Sequence, residues 1–151
     1  MIQRLQQRDP DTLRALTDYD PGLASELLDV YGSSVPGPSG GRHRFAPKPE
    51  VLVNGTGAMK AHMTRLTVAA AFVEVSLAKS GHSGPVGINI IEKLQLMHLP
   101  MILGAMLAGV DYVLVGAGIP NQIPAVLQSY AALQPASYKL DVAGTNEKHL
   151  M

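Results

Sequence analysis

Residues 84–120 read GPVGINIIEKLQLMHLPMILGAMLAGVDYVLVGAGIP, and the fold turns on this stretch. Two apolar, β-branched runs, Pro85–Ile91 and Tyr112–Val115, bracket a short helix over Met101–Ala108 that Gly109 stops. A strand–helix–strand order of this length predicts a parallel pair joined by a right-handed crossover. In parallel α/β folds, ligands sit beyond the carboxyl ends of the strands. The first run ends in Glu92-Lys93 and the second in Gly116-Ala117-Gly118-Ile119-Pro120. Function is therefore sought there first.

Working outward, Ile123–Leu133 reads as a helix with Pro124 tolerated in its first turn. Tyr138–Val142 reads as a further strand, ending at Ala143-Gly144. On the other side, Thr64–Lys79 has helical spacing, with Leu66, Ala69, Ala70, Val73 and Leu77 on one face. Before it, Val51-Leu52-Val53 reads as a short buried strand running into Asn54-Gly55-Thr56-Gly57. The order β-α-β-α-β-α-β predicts an α/β fold with one parallel sheet of four strands in sequential order. A doubly wound sheet and part of a (β/α)8 barrel both satisfy it. A TIM barrel takes about 250 residues, and this chain has 151. The reading is the N-terminal half of a (β/α)8 barrel over 50–144, with a polar tail at 145–151. Residues 1–49 form a helical and Pro/Gly-rich extension. In it, Asp9 or Asp11 caps a helix carrying Leu13 and Leu16. A second helix follows Pro21, with Leu23, Leu27, Leu28 and Tyr31 on one side and Gly32 as its stop. Ser33–Pro49 is a loop by composition.

Lys+Arg and Asp+Glu number 12 each, so the formal charge is zero. No global field favours nucleic acid or an anionic membrane. Cysteine is absent, which removes disulfides and thiolate metal sites. Apolar runs stop well short of about 20 residues, and no signal-peptide layout opens the chain. The expectation is a cytoplasmic protein with a small-molecule substrate and neither nucleic-acid nor membrane partners.

Three segments carry candidate chemistry. Asn54-Gly55-Thr56-Gly57 follows a strand and precedes a helix, where glycine lets backbone N–H groups approach a phosphate or a flat ring. An ordinary tight turn explains it equally. A dinucleotide fingerprint needs a glycine where Lys60 stands, and Glu92 lies too far along to serve as its acid. Asn89 interrupts an apolar strand and is expected to be buried, so its amide needs a partner. That partner is either neighbouring backbone or a planar hydrogen-bonding ligand. Lys93 and Gln95 extend the polar rim. Gly116-Ala117-Gly118 removes side-chain bulk at the next strand end. His43, His62, His82, His98 and His149 do not cluster, with His82 and His98 expected in loops. No metal ligands or catalytic residues are assigned, and structural or solvated roles are expected for each histidine.

With these residues in place, the run from Val53 to Pro124 resembles the early barrel of the nitronate monooxygenase (2-nitropropane dioxygenase-like) family. The segments carrying the likeness are NGTGAMKA, TRLTVAAAFVEVSLAKSGHSGPVGIN, EKLQ, GAMLAGVDYVLVGAGIP and the following Ile123-Pro124. FMN-dependent enoyl-acyl-carrier-protein reductases are relatives of that family. The resemblance implies a TIM-barrel flavoprotein holding FMN noncovalently, with Gly55, Thr56, Gly57 and Asn89 against the flavin. Gly116, Ala117 and Gly118 would line the same pocket. It implies a monooxygenase acting on nitronates, or alternatively an enoyl reductase. The family's glycine-glycine-histidine segment and its phosphate-binding strands are not found in this sequence. The isolated chain is therefore expected to be inactive and to self-associate through uncovered barrel edges. The rival expectations are a noncatalytic half-barrel that assembles with another chain, and a self-contained flavodoxin-like phosphate-binding module.

Overall fold

Two Asp-Pro pairs set the first long helices. Asp9 accepts the Thr12 N–H at 2.9 Å and caps α2 (Pro10–Tyr19). Asp20 accepts the Leu23 N–H at 2.9 Å and caps α3 (Pro21–Tyr31). In each, proline at the first helical position has no N–H to leave unpaired. The cap is therefore Asp9, while Asp11 pairs with Arg14 at 2.8 Å. A short α1 (Ile2–Gln6) precedes them. The computed structural model describes residues 1–32, 57–141 and 148–150. The strand expected at Val51–Val53, the Ser33–Pro49 loop, Gly55 and Thr56 lie outside the described residues.

Helix α4 (Gly57–Lys79) starts two turns earlier than its periodicity suggested. It is buried along two stripes. Leu66, Ala69 and Val73 join Leu5, Leu16, Leu23 and Leu27 in one core cluster, so α1–α3 share their core with α4. Val68 and Val75 are buried on another side, in line with Ala71. There α5 (His98–Leu107) crosses α4 at Gly104. A Cβ at Gly104 would collide with the Val68 carbonyl and stand 3.0 Å from the Ala71 methyl. The absence of a side chain at this position lets the two backbones touch.

Strands β1 (Gly87–Ile91) and β2 (Tyr112–Gly116) pair in parallel, from Gly87 opposite Tyr112 to Ile91 opposite Gly116. Strand alternation sends Ile88, Ile90, Val113 and Val115 toward the helices. They meet Ile102 of α5 and Ile123 and Val126 of α6 (Ile123–Ala131) in a second cluster. The opposite face is open: Ile91, Leu114 and Tyr112 are 50%, 56% and 61% exposed.

The expected fourth parallel strand does not extend this sheet. Lys139–Asp141 (β3) pairs antiparallel with Lys148–Leu150 (β4), in a separate two-stranded sheet. Part of the expected polar tail is thus a strand. The physical reason lies just upstream, where Tyr138 is buried to 1% exposure in the α5–α6 cluster. The chain enters the helix layer there and does not run beside β2. Among the described residues the architecture is mixed α/β, with a two-stranded parallel sheet.

Asp111 ties α4 to the amino end of this sheet. Its Oδ2 accepts Lys79 Nζ at 2.7 Å and the Val86 N–H at 2.8 Å. The Lys79 hydrogen bond, followed by the Val86 bond, holds the carboxyl below its ordinary pKa, the Lys79 charge adds to this, and desolvation opposes it. A depressed folded pKa gives stability that is present above the unfolded value of about 3.9 and lost as pH falls through the folded value. Denaturant unfolding of the wild type and Asp111→Asn from about pH 2.5 to 6 checks this. The stability difference should be constant above about pH 5 and shrink in acid. A difference independent of pH would reject the assignment.

Candidate functional site

The carboxyl ends of β1 and β2 are stitched by the Glu92 N–H, which donates to the Gly116 carbonyl at 2.9 Å. Asn89 lies on the open face, exposed and opposite Leu114. Its expected burial is corrected by the strand's period of two, since Ile88 and Ile90 take the helix side. The missing Cβ of Gly116 would stand 3.7 Å from Asn89 Oδ1, so Asn89 borders the glycine-rich end. Ala117 adopts φ 62°, a left-handed conformation that is costly with a side chain. At Gly118 a Cβ would fall 2.7 Å from Glu92 Cβ and Oε2. Packing of Glu92 alone therefore explains that glycine. Lys93 is exposed beside Glu92. The structure thus gathers Asn89, Gly116, Ala117 and Gly118, with Lys93 at the rim. Gly57 opens α4 with no heavy atom within 4 Å of its absent Cβ.

Four residues that sequence reasoning left out or left at the margin organise these loops. Glu92 Oε1 accepts Gln95 Nε2 at 3.1 Å and the Tyr138 hydroxyl at 3.2 Å. Gln122, at the end of the loop after β2, brackets Lys139. Its Oε1 accepts the Lys139 N–H at 2.8 Å, and its Nε2 donates to the Lys139 carbonyl at 3.0 Å. His98, expected in a loop, is the first residue of α5 and is fully buried. Its Nε2 faces the Ile91 carbonyl at 3.0 Å. A carbonyl only accepts, so that nitrogen carries a hydrogen. The imidazole meets Tyr138 edge-on, with centroids 5.1 Å apart. Its Nδ1 has no hydrogen-bond partner among the described residues. A sequence signal for Glu92 existed in its place at a strand end. None existed for Tyr138, which sits 46 residues away.

A second polar cluster joins α3 to α4. The Tyr31 hydroxyl and His62 Nε2 share a hydrogen bond of 2.9 Å, and His62 Nδ1 lies 3.5 Å from Glu26. Arg65 pairs with the other Glu26 oxygen at 2.9 Å. Burial pushes the Tyr31 phenol up. This gives His62 a structural role, fastening the end of α3 to the first turns of α4. His82 is also structural: its Nε2 meets the Ala78 carbonyl at 2.7 Å and its Nδ1 accepts the Gly84 N–H at 3.0 Å. An open depression of about 280 Å³ between α2 and α4 is lined by Asp11, Arg14, Asp18, Ser76 and Lys79, with both charge signs represented.

Among the described residues, no helix is long and apolar enough to cross a membrane, and no group of three His, Asp or Glu side chains is placed to hold a metal ion. No family model, curated protein or solved structure matches the chain.

Proposed function

We propose that this chain is the N-terminal portion of an FMN-dependent oxidoreductase of the nitronate monooxygenase type, with enoyl reduction as the alternative chemistry. On this reading β1–α5–β2 is early (β/α)8-barrel structure, and its open face is the barrel interior. The observation that supports it best is the setting of Asn89. Its amide stands on an exposed face among Ile91, Tyr112 and Leu114, bordered by the side-chain-free Gly116. An amide offers one donor and one acceptor group in a plane. A flat ring with polar edges fits an apolar platform with that amide at its side. Gly116 would allow close approach beside Asn89, and Lys93 is the cation nearest in sequence for a phosphate. FMN would supply electron-transfer chemistry when bound. The chain's own part is to bind the ring, orient it and keep water from one side.

The isolated chain offers one wall and no complete phosphate cradle among its described residues. It should not carry FMN through desalting, and it should not turn over nitronates. Weak binding is still readable by titrating the ¹⁵N-labelled chain with FMN. Shifts are expected at Asn89, Gly116, Ala117 and Gly118. Asn89→Ala should weaken that binding by about 0.5–1.5 kcal/mol, the net worth of one hydrogen bond on a solvent-open face. Saturating FMN that leaves all four resonances unmoved would overturn the reading.

The open face also favours a second reading, a noncatalytic half-barrel that associates. Uncovered parallel strands offer unpaired edges to another chain. Light scattering across a concentration series separates this from a monomer that only binds flavin.

A further inference from the structure

We propose that Tyr138–Asp141 is a strap that sets the shape of the two strand-end loops, and that occupation of the Gly116–Gly118 loop loosens it. The ligand half of this statement rests on the flavin reading above; the mechanical half stands without it.

Four contacts form a closed circuit. Tyr138 donates to Glu92 Oε1, in the loop after β1. Glu92 Oε2 lies where a side chain on Gly118 would stand, in the loop after β2. That second loop runs on to Gln122, whose amide pairs both backbone groups of Lys139. Lys139 adjoins Tyr138, which closes the ring of contacts. Tyr138 is itself fixed, being buried in the α5–α6 cluster and edge-on to His98. The strap therefore has an immobile foot and two grips, one on each loop that follows a parallel strand.

The circuit holds one strained member. Ala117 sits between the two glycines at φ 62°, a state that persists when its surroundings over-determine it. Ala117 lies between Gly116, whose carbonyl accepts the Glu92 N–H, and Gly118, which packs against the Glu92 side chain, so the circuit runs through this strained backbone. A group seated on Gly116–Gly118 competes for space with Glu92, whose side chain fills the position a Gly118 Cβ would take. Displacement of Glu92 pulls on its bond to Tyr138, so force at the loop is carried to the strap.

Two backbone amides report the two ends: Glu92 N–H, bonded to the Gly116 carbonyl, and Lys139 N–H, bonded to Gln122. NMR-detected hydrogen exchange on the full chain tests the linkage in both directions. Gly118→Ala should raise exchange at Lys139 at least about tenfold, and Gln122→Ala should do the same at Glu92, as expected for one cooperative opening unit. Where Gly118→Ala does not fold, Tyr138→Phe removes a single oxygen and should speed both amides. Effects confined to the mutated end, with the far amide within about twofold of wild type, would overturn the strap. Adding FMN separates the two claims. Shifts at Asn89 and Gly116 with faster Lys139 exchange support ligand release. The same shifts with Lys139 unchanged overturn ligand release and leave the flavin reading intact. No shifts at all overturn both the flavin reading and ligand release, while the variants still decide the mechanical linkage.

Discussion

Gly104→Ala is expected to destabilise the chain by at least about 3 kcal/mol, the upper range for overpacking a tight interior contact. In a chain of this size that lowers the thermal midpoint by roughly 6–12 °C. The added methyl meets backbone, the Val68 carbonyl, and not the flexible end of a side chain. Relief requires α4 and α5 to separate, and this crossing joins the N-terminal core cluster to the sheet cluster. Larger residues at 104 should be worse in order of size. A midpoint within about 2 °C of wild type would show that the close crossing does not exist in solution.

Leu16→Ala carries the second large effect. Leu16 is fully buried with Leu5, Leu23, Leu27, Leu66 and Val73. Truncating such a leucine costs about 2–5 kcal/mol, from lost transfer energy plus the cavity left behind. Because α4 belongs to the same cluster, the loss should register in the unfolding of the whole chain. Circular dichroism and exchange protection at Ile90 should report one shifted transition. Early loss of helix signal, with Ile90 protection unchanged, would mean that α1–α3 unfold on their own.

The parts of the fold legible in the sequence were those fixed by local chemistry. Asp9 or Asp11 marked the start of α2, and Pro21 and Gly32 marked the two ends of α3, while the choice of Asp9 and the end of α2 at Tyr19 came from the structure. Apolar runs between glycines marked β1 and β2, and their parallel pairing followed from the helix between them. What could not be read depended on distant partners. The spacing of α4 pointed to one buried face, because apolar residues on a second side blur a one-sided pattern. Tyr138–Val142 has strand composition, but composition does not name a strand's neighbour. The burial of Tyr138 and the grip of Gln122 took Lys139–Asp141 away from β2. In the site, parallel pairing was enough to bring Asn89 beside Gly116. The reason for Gly118 was not legible, since Glu92 reaches it through a side chain. Asn89 looked buried because its sequence neighbours are apolar, whereas alternation gave those neighbours the interior and left the amide outside.

The Gln122–Lys139 pairing has a genetic consequence. Every residue but proline brings the same backbone donor and acceptor, so a ladder bond survives almost any codon change. Here one half of the ladder is a side chain, and its donor and acceptor are specified by a single codon. Glutamine and glutamate codons differ by one base. Glutamate at 122 would set a carboxylate oxygen against the Lys139 carbonyl, replacing that attraction with repulsion while its other oxygen still accepted the Lys139 N–H. Asparagine, one methylene shorter, would fall short of both atoms. The grip of the loop after β2 on Lys139 is thus one nucleotide from weakening, a fragility that the β1–β2 and β3–β4 pairings, made backbone to backbone, do not share.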